Sequence, residues 1–519
     1  MAMASLLVLL HATLAAASPT AVRTTLGTLS GATVGGGVRQ VLGVPYANQT
    51  RWTAPLDWTA PYAGGRRDAL AYGAMCAQGG PPDAAGAAGA AGAAGAAGAA
   101  EDCLFLNVFA PPLAAQGAAP APAPVMVFLH GGGMTMGSGN EQNGTSLAAR
   151  HGVVVVTLNY RLGAFGLLPM HDDAKAGRST GNWAYLDQRS ALRWVKAHVG
   201  AFGGDASRVL LFGQSAGATS VCVQLAMEGS AGLFAAAAME SPYDCARADS
   251  LSSALAQTDD FAKELGCAGK VYRTCLAQKS TAAILRAATG PLMPATGGTS
   301  LPHPTADMVE LTGSPYELLK ARAPAVPLLL GSNTNEGTFF LHGAASAAAL
   351  SAQLKSLTGG KATLLARARA LYPASGGRYR AAMAAAMGHA KVNCVARRVA
   401  ATTPRSYLYH FARFDPCGGW SRRTDGVTHT AELPYVFGQC GCEGGRWPLG
   451  ADTALSAAMM SAWSAFARGG NPGGGWRLSS SGAKLDKVFN ASVSEKMETG
   501  WLGKQCALWD DVAAFEHGR

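Results

Sequence analysis

Ser215 stands at the centre of Gly213-Gln214-Ser215-Ala216-Gly217. The apolar run Val209-Leu210-Leu211-Phe212 precedes this pentapeptide, and the small-residue stretch Ala218-Thr219-Ser220-Val221 follows it. That order reads strand, sharp turn, helix. In a G-x-S-x-G turn the strained bend pushes the serine hydroxyl out of the chain, and glycine on either side avoids a clash. The helix that follows aims its unpaired N–H groups back at the serine. Such a serine is suited to attack a carbonyl. The same pattern arises by chance in a chain with 66 glycines, so its weight comes from the strand before it and the helix after it.

A serine nucleophile needs a base, and the base needs an acid to hold its tautomer. Among the histidines after Ser215, His303 lies between prolines and His517 in the C-terminal tail. His342 and His389 fall in Ala-rich helical stretches, and His410 in the strand pattern Tyr407-Leu408-Tyr409-His410-Phe411. His429 sits in Gly426-Val427-Thr428-His429-Thr430-Ala431-Glu432, a polar loop after that strand. Loop position at a strand end suits a mobile proton shuttle. Glu336 falls in Ser332-Asn333-Thr334-Asn335-Glu336-Gly337, directly after the buried-strand pattern Val326–Leu330; an ordinary surface glutamate is the competing reading. The order Ser215, Glu336, His429 is the Ser…Asp/Glu…His order of α/β-hydrolases. His130-Gly131-Gly132-Gly133 follows the strand pattern Val125–Leu129 and fits an HGGG-type oxyanion loop.

The elements that must carry these residues alternate. Four continuous apolar runs, Val125–Leu129, Val153–Leu158, Val209–Phe212 and Val326–Leu330, read as strands buried on both faces. Residues 26–47 read as shorter strands with glycine turns, and Leu186–Val195 has helical spacing. The expectation is an α/β protein with a large, mostly parallel central sheet flanked by helices. Ligand chemistry in such sheets sits at the carboxyl ends of the strands. The Ala-Ala-Gly triplets of residues 84–100 offer nothing large to bury and read as a flexible surface insertion.

With 519 residues, 49% hydrophobic and 14% charged, the chain is that of a soluble globular protein. Its net charge of +10 is spread thinly, without the dense Lys/Arg tract of a nucleic-acid surface. Residues 1–17 resemble a signal peptide cut near Ala17, and no later segment is an obvious membrane span. A secreted protein is the expectation. Sequons at Asn48, Asn143 and Asn490 agree with that route, and eleven cysteines in an exported chain favour disulfides.

These motifs resemble the type-B carboxylesterases, the family that includes the cholinesterases. The resemblance covers nearly the whole of residues 18–519 as a single α/β-hydrolase domain. It includes Gly43-Val44-Pro45-Tyr46-Ala47, Glu101-Asp102-Cys103-Leu104-Phe105-Leu106-Asn107-Val108, Asn159–Gly166, Gly181-Asn182, Leu186-Asp187-Gln188, Phe202-Gly203-Gly204-Asp205 and Val436-Phe437-Gly438. It implies Ser215 as nucleophile, His429 as base, Glu336 as triad acid, and oxyanion donors at Gly132, Gly133 and Ala216. It further implies the disulfides Cys76–Cys103, Cys267–Cys275 and Cys394–Cys506, and no metal or organic cofactor. Cys222, Cys245, Cys417, Cys440 and Cys442 have no implied partner; Cys222 is expected as a buried thiol on the helix after Ser215, and Cys417 is a candidate partner for Cys440 or Cys442. The elbow carries Gln214 where the family often has glutamate. The loop between Cys76 and Cys103 holds no aromatic residue, so the tryptophan that cholinesterases keep there for choline is absent. The expected activity is carboxylic ester hydrolysis through an acyl-enzyme. A non-catalytic cholinesterase-like adhesion protein and a lipase acting on lipid esters are the alternatives.

Overall fold

The computed structural model of the chain describes residues 18–517 apart from 80–97, 113–120, 246, 268, 270–271, 289–302, 342–343, 415, 417–425, 441, 443–446, 448, 480–484 and 491–496. Residues 1–17, most of the Ala-Gly tract, His342 and Cys417 therefore lie outside the described residues.

The main sheet is formed by β1 (Ser18–Thr24), β2 (Gly27–Val34), β3 (Val38–Pro45), β4 (Phe105–Ala110), β5 (Ala123–Leu129), β6 (Val154–Leu158), β7 (Gly204–Gln214), β8 (Ala236–Glu240), β9 (Leu328–Asn333), β10 (Ser406–Phe411), β11 (Leu485–Phe489) and β12 (Met497–Thr499). They lie in the order β1-β2-β3-β4-β6-β5-β7-β8-β9-β10-β11-β12. From β6 through β11 every neighbouring pair is parallel. Along this path the two margins are antiparallel; a further short strand, Arg66–Asp68, pairs parallel with β2 beside it. The apolar runs anticipate these strands with small shifts at their ends: β6 begins at Val154, β9 begins at Leu328, and β7 extends well upstream of Val209.

Strand residues alternate between two cores. Val125, Val127, Leu129, Val209, Leu211, Leu328 and Leu330 join one, whereas Met126, Phe128, Leu210, Phe212 and Leu329 join the other. Both sheet faces are thus covered, which is why these strands read as unbroken apolar runs. Each such side chain contributes about 1.5–3 kcal/mol by burial. Helix α1 (Trp183–His198) covers the first face and helix α3 (Gly450–Gly469) the second, with helix α2 (Ala216–Ala226) following β7. No described helix is long and apolar enough to cross a membrane.

The cysteine pairs Cys76–Cys103, Cys267–Cys275 and Cys394–Cys506 form, with Cα–Cα separations of 4.8, 5.6 and 5.1 Å. Cys394–Cys506 closes 112 residues and lies in a separate apolar cluster with Leu354 and Trp509. The expected lone thiol at Cys222 is corrected: it pairs with Cys245, Cα–Cα 6.0 Å. Cys245 follows β8, and only the stacking of α2 beside that strand brings the two together. Cys442 is also disulfide-bonded.

Candidate active site

The elbow at Ser215 is fixed by backbone sterics. β7 ends at Gln214, α2 begins at Ala216, and Ser215 between them has φ 57° and ψ −123°. A non-glycine residue at positive φ is strained and persists only where its surroundings hold it. Here Ser215 N–H donates to Glu240 O at 2.9 Å, and Ser215 O accepts from Thr219 N at 2.9 Å. A Cβ at Gly213 would lie 2.6 Å from the Gly217 carbonyl carbon, and one at Gly217 would strike the Leu129 carbonyl. Both flanking glycines are therefore required by close backbone approach. Ser215 is 7% exposed.

β5 delivers the glycine loop to the same place. His130 stacks on Tyr160 at 4.3 Å, and its Nδ1 lies 2.8 Å from Gly131 O. Burial pushes the His130 imidazole down to about 4, so it is neutral. Tyr160 Oη donates to His130 O at 2.6 Å. Gly132 and Gly133 then take φ of 101° and 63°. A Cβ built on Gly131 would sit 3.2 Å from Ser215 Cβ, so the loop lies against the elbow. The N–H groups of Gly132 and Gly133 find no acceptor among the described residues. Ala216, first in α2, has no intrahelical acceptor for its own.

Glu336 and His429 are held by side chains. His429 and Glu336 are each 1% exposed. His429 Nδ1 lies 2.5 Å from Glu336 Oε2. Glu336 Oε1 accepts from Asn333 N and from Ser241 Oγ, both at 2.6 Å. The two loops are stitched together by Asn335 N to Val427 O (2.8 Å), Asn333 Nδ2 to Thr428 O (2.8 Å) and Thr338 Oγ1 to Thr428 Oγ1 (3.0 Å). With its proton on Nδ1 facing the carboxylate, the imidazole presents its Nε2 lone pair to the elbow. Gln214 Nε2 reaches that nitrogen at 3.2 Å. The ring, which the sequence places only in a polar loop, is buried beside Phe339 and Phe340, at centroid separations of 5.4 and 5.0 Å. The surface-glutamate reading of Glu336 falls for the same reason.

Other candidates stand elsewhere. His303 lies 3.6 Å from Asp249, and His410 stacks on Trp501 with Nε2 at 2.8 Å from Thr334 Oγ1. His389 continues helix α-type structure as a π-helical turn beside Tyr372. Asn48 and Asn143 are exposed and Asn490 partly so.

Sequence reasoning missed the buried polar shell. Ser241 carries a φ of 53° and directs its hydroxyl at Glu336. Glu432 lies three residues after His429, and its Oε2 accepts from Asn333 Nδ2. Burial, then the Glu336 charge, pushes its carboxyl up to about 7. Glu240, opposite Gln214 in the β7–β8 register, accepts from Trp463 Nε1 at 2.6 Å. Burial and then Glu432 hold its carboxyl well above the usual range. A glutamate at i+3 from His429 was the one available signal.

The chain matches the Carboxylesterase family over residues 18–509. It is 33% identical to para-nitrobenzyl esterase of Bacillus subtilis (strain 168) over 479 residues, covering 87% of this chain and 90% of that protein. It is 40% identical to cocaine esterase of Oryctolagus cuniculus over 209 residues; that alignment spans 40% of this chain and 38% of the relative. A solved thermophilic PNB esterase superposes with a TM-score of 0.80 at 29% identity, covering 95% of this chain and all of the other. The α/β architecture read from the strand pattern is shared with that esterase.

Proposed function

The chain belongs to the carboxylesterase family and is a carboxylic ester hydrolase, and we propose that it works by two-step acyl transfer through Ser215, His429 and Glu336. His429 Nε2 takes the Ser215 proton as Oγ bonds to the ester carbonyl carbon. The carbonyl oxygen becomes an oxyanion, with the N–H groups of Gly132, Gly133 and Ala216 as its donors. Collapse breaks the bond to the alkoxy oxygen, which leaves with the proton from Nε2. Water then attacks the acyl-enzyme, giving its proton to the same nitrogen, and Ser215 departs with that proton as the acid forms. Glu336 keeps the second imidazole proton on Nδ1 throughout.

The observation that carries this reading is the 2.5 Å contact of His429 with Glu336 beside an elbow serine at φ 57°. Ser215→Ala is expected to abolish ester turnover while leaving the folded chain's melting temperature nearly unchanged. Retained hydrolysis would remove Ser215 from the mechanism, and an unlabelled wild-type chain under a fluorophosphonate would favour a binding protein on this fold. Phe339 and Phe340 beside His429 suit small esters with apolar or aromatic groups. A panel of short-chain, long-chain, aromatic and choline esters, expected to favour the short-chain and aromatic members, separates an esterase from a lipase.

The disulfides and the exposed Asn48 and Asn143 support export and glycosylation of the protein. A mobility shift on enzymatic deglycosylation of the secreted chain is the expected result; its absence from the culture medium would count against export.

A further inference from the structure

The Gln214 side chain lies where the proposed reaction needs something else. It is 2% exposed at the end of β7. Its Nε2 is 3.2 Å from His429 Nε2, and its Oε1 faces the glycine loop, 2.9 Å from the position of a Cβ on Gly131. His429 spends its Nδ1 proton on Glu336, so its Nε2 can only accept, and the carboxamide N–H is the donor. One lone pair serves one strong donor. The Ser215 hydroxyl donates to no described residue in this arrangement.

We propose that Gln214 is a positioning residue that latches the resting imidazole: its carboxamide N–H occupies the His429 Nε2 lone pair, and must let go before the Ser215 proton can reach that nitrogen. The inference rests on the acyl-transfer reading above. Release breaks one neutral hydrogen bond and forms another, Ser215 Oγ–H to Nε2, with no change in charge. A carboxylate at 214 could not play this part. It carries no donor for a neutral imidazole, and would accept only from a protonated Nε2. The other titratable groups around the ring are Glu336, Glu432, Glu240 and Tyr409, and burial raises the Glu240 carboxyl and the Tyr409 phenol well above their ordinary values.

The test compares Gln214→Met, which removes the donor at similar volume, with Gln214→Glu. Two readouts apply to the intact chain: the second-order rate of Ser215 labelling by a fluorophosphonate, and the pH profile of kcat/KM on a short-chain aryl ester. Gln214→Met is expected to label roughly three- to tenfold faster at neutral pH, the worth of one neutral hydrogen bond, and to move its acidic limb up by roughly half to one pH unit, because the lost N–H no longer favours the neutral ring. Gln214→Glu is expected to move the acidic limb up by about one pH unit, because the new carboxylate favours the protonated ring. A labelling rate for Gln214→Met within twofold of wild type or slower, with the Gln214→Glu limb unmoved, overturns the latch. Should Gln214→Met fail to fold, the limb of Gln214→Glu decides alone. Wild-type chain that takes no label at Ser215 would instead sink the acyl-transfer reading itself.

Discussion

The two sides of the site are built by different physics. On the Ser215 side, geometry is imposed chiefly by main-chain collisions: Gly132, Gly213 and Gly217 each leave no room for a Cβ beside neighbouring backbone. On the acid–base side, Glu336 and His429 are aimed by a shell of polar side chains, chiefly Asn333, Ser241 and Thr428, each satisfying another within the protein. Excluded volume tolerates no compromise, so the first side should fail abruptly. A hydrogen-bonded shell loses function in steps, one partner at a time.

Substitution at the elbow should have the largest effect. Gly217→Ala places a methyl group against the Leu129 carbonyl between β5 and α2. The expected cost is more than about 4 kcal/mol of stability, together with loss of activity. Denaturant unfolding of the purified variant measures it; a well-folded, active Gly217→Ala chain would show that the backbone there has room to move.

On the other side, Glu336→Gln should preserve folding and damage catalysis alone. The amide no longer stabilises the imidazolium or holds the Nδ1 tautomer, so kcat is expected to fall roughly a thousand- to ten-thousandfold. Steady-state kinetics with an unchanged far-UV spectrum would bear this out. A drop below tenfold would mean that the shell, rather than Glu336, orients the ring.

The smallest effect concerns stability against pH. Burial and the Glu336 charge raise the Glu432 carboxyl to about 7. In the folded state it therefore holds its proton between the ordinary value of 4.5 and about 7, where the unfolded chain releases it. Stability from this group is full below that window and is lost as pH rises through it. Glu432→Gln keeps a partner for Asn333 and removes the ionisation, so its stability should decline less over that range, by about 1–3 kcal/mol. Parallel curves for variant and wild type, from melting temperatures measured at several pH values, would place the titration elsewhere.

Legibility follows the same division. The elbow, the glycine loop and the central strands were readable because backbone constraints and two-sided burial leave local signatures: glycines at fixed offsets, unbroken apolar runs. Glu336 and His429 were found by their place after strands, but their burial was not foreseen, since a polar loop reads the same whether water or protein satisfies it. Ser241, Asn333 and Glu240 gave no sign at all. Each is an ordinary polar residue whose role depends on a neighbour at least 95 positions away or on the next strand. Cys222 misled for this reason as well, its partner being set by how α2 stacks beside the end of β8.

The amino-acid order alone determined which segments become strands, where the chain must bend at Ser215, and the Ser–Glu–His succession, because these rest on sterics and burial within a few residues. Tertiary structure alone decided which groups share the site's buried space: the amide of Gln214 on the imidazole, Ser241 on Glu336, and a carboxyl at Glu432 that burial raises to about 7. Those outcomes depend on distance and desolvation, which exist only once separate strands have been brought side by side.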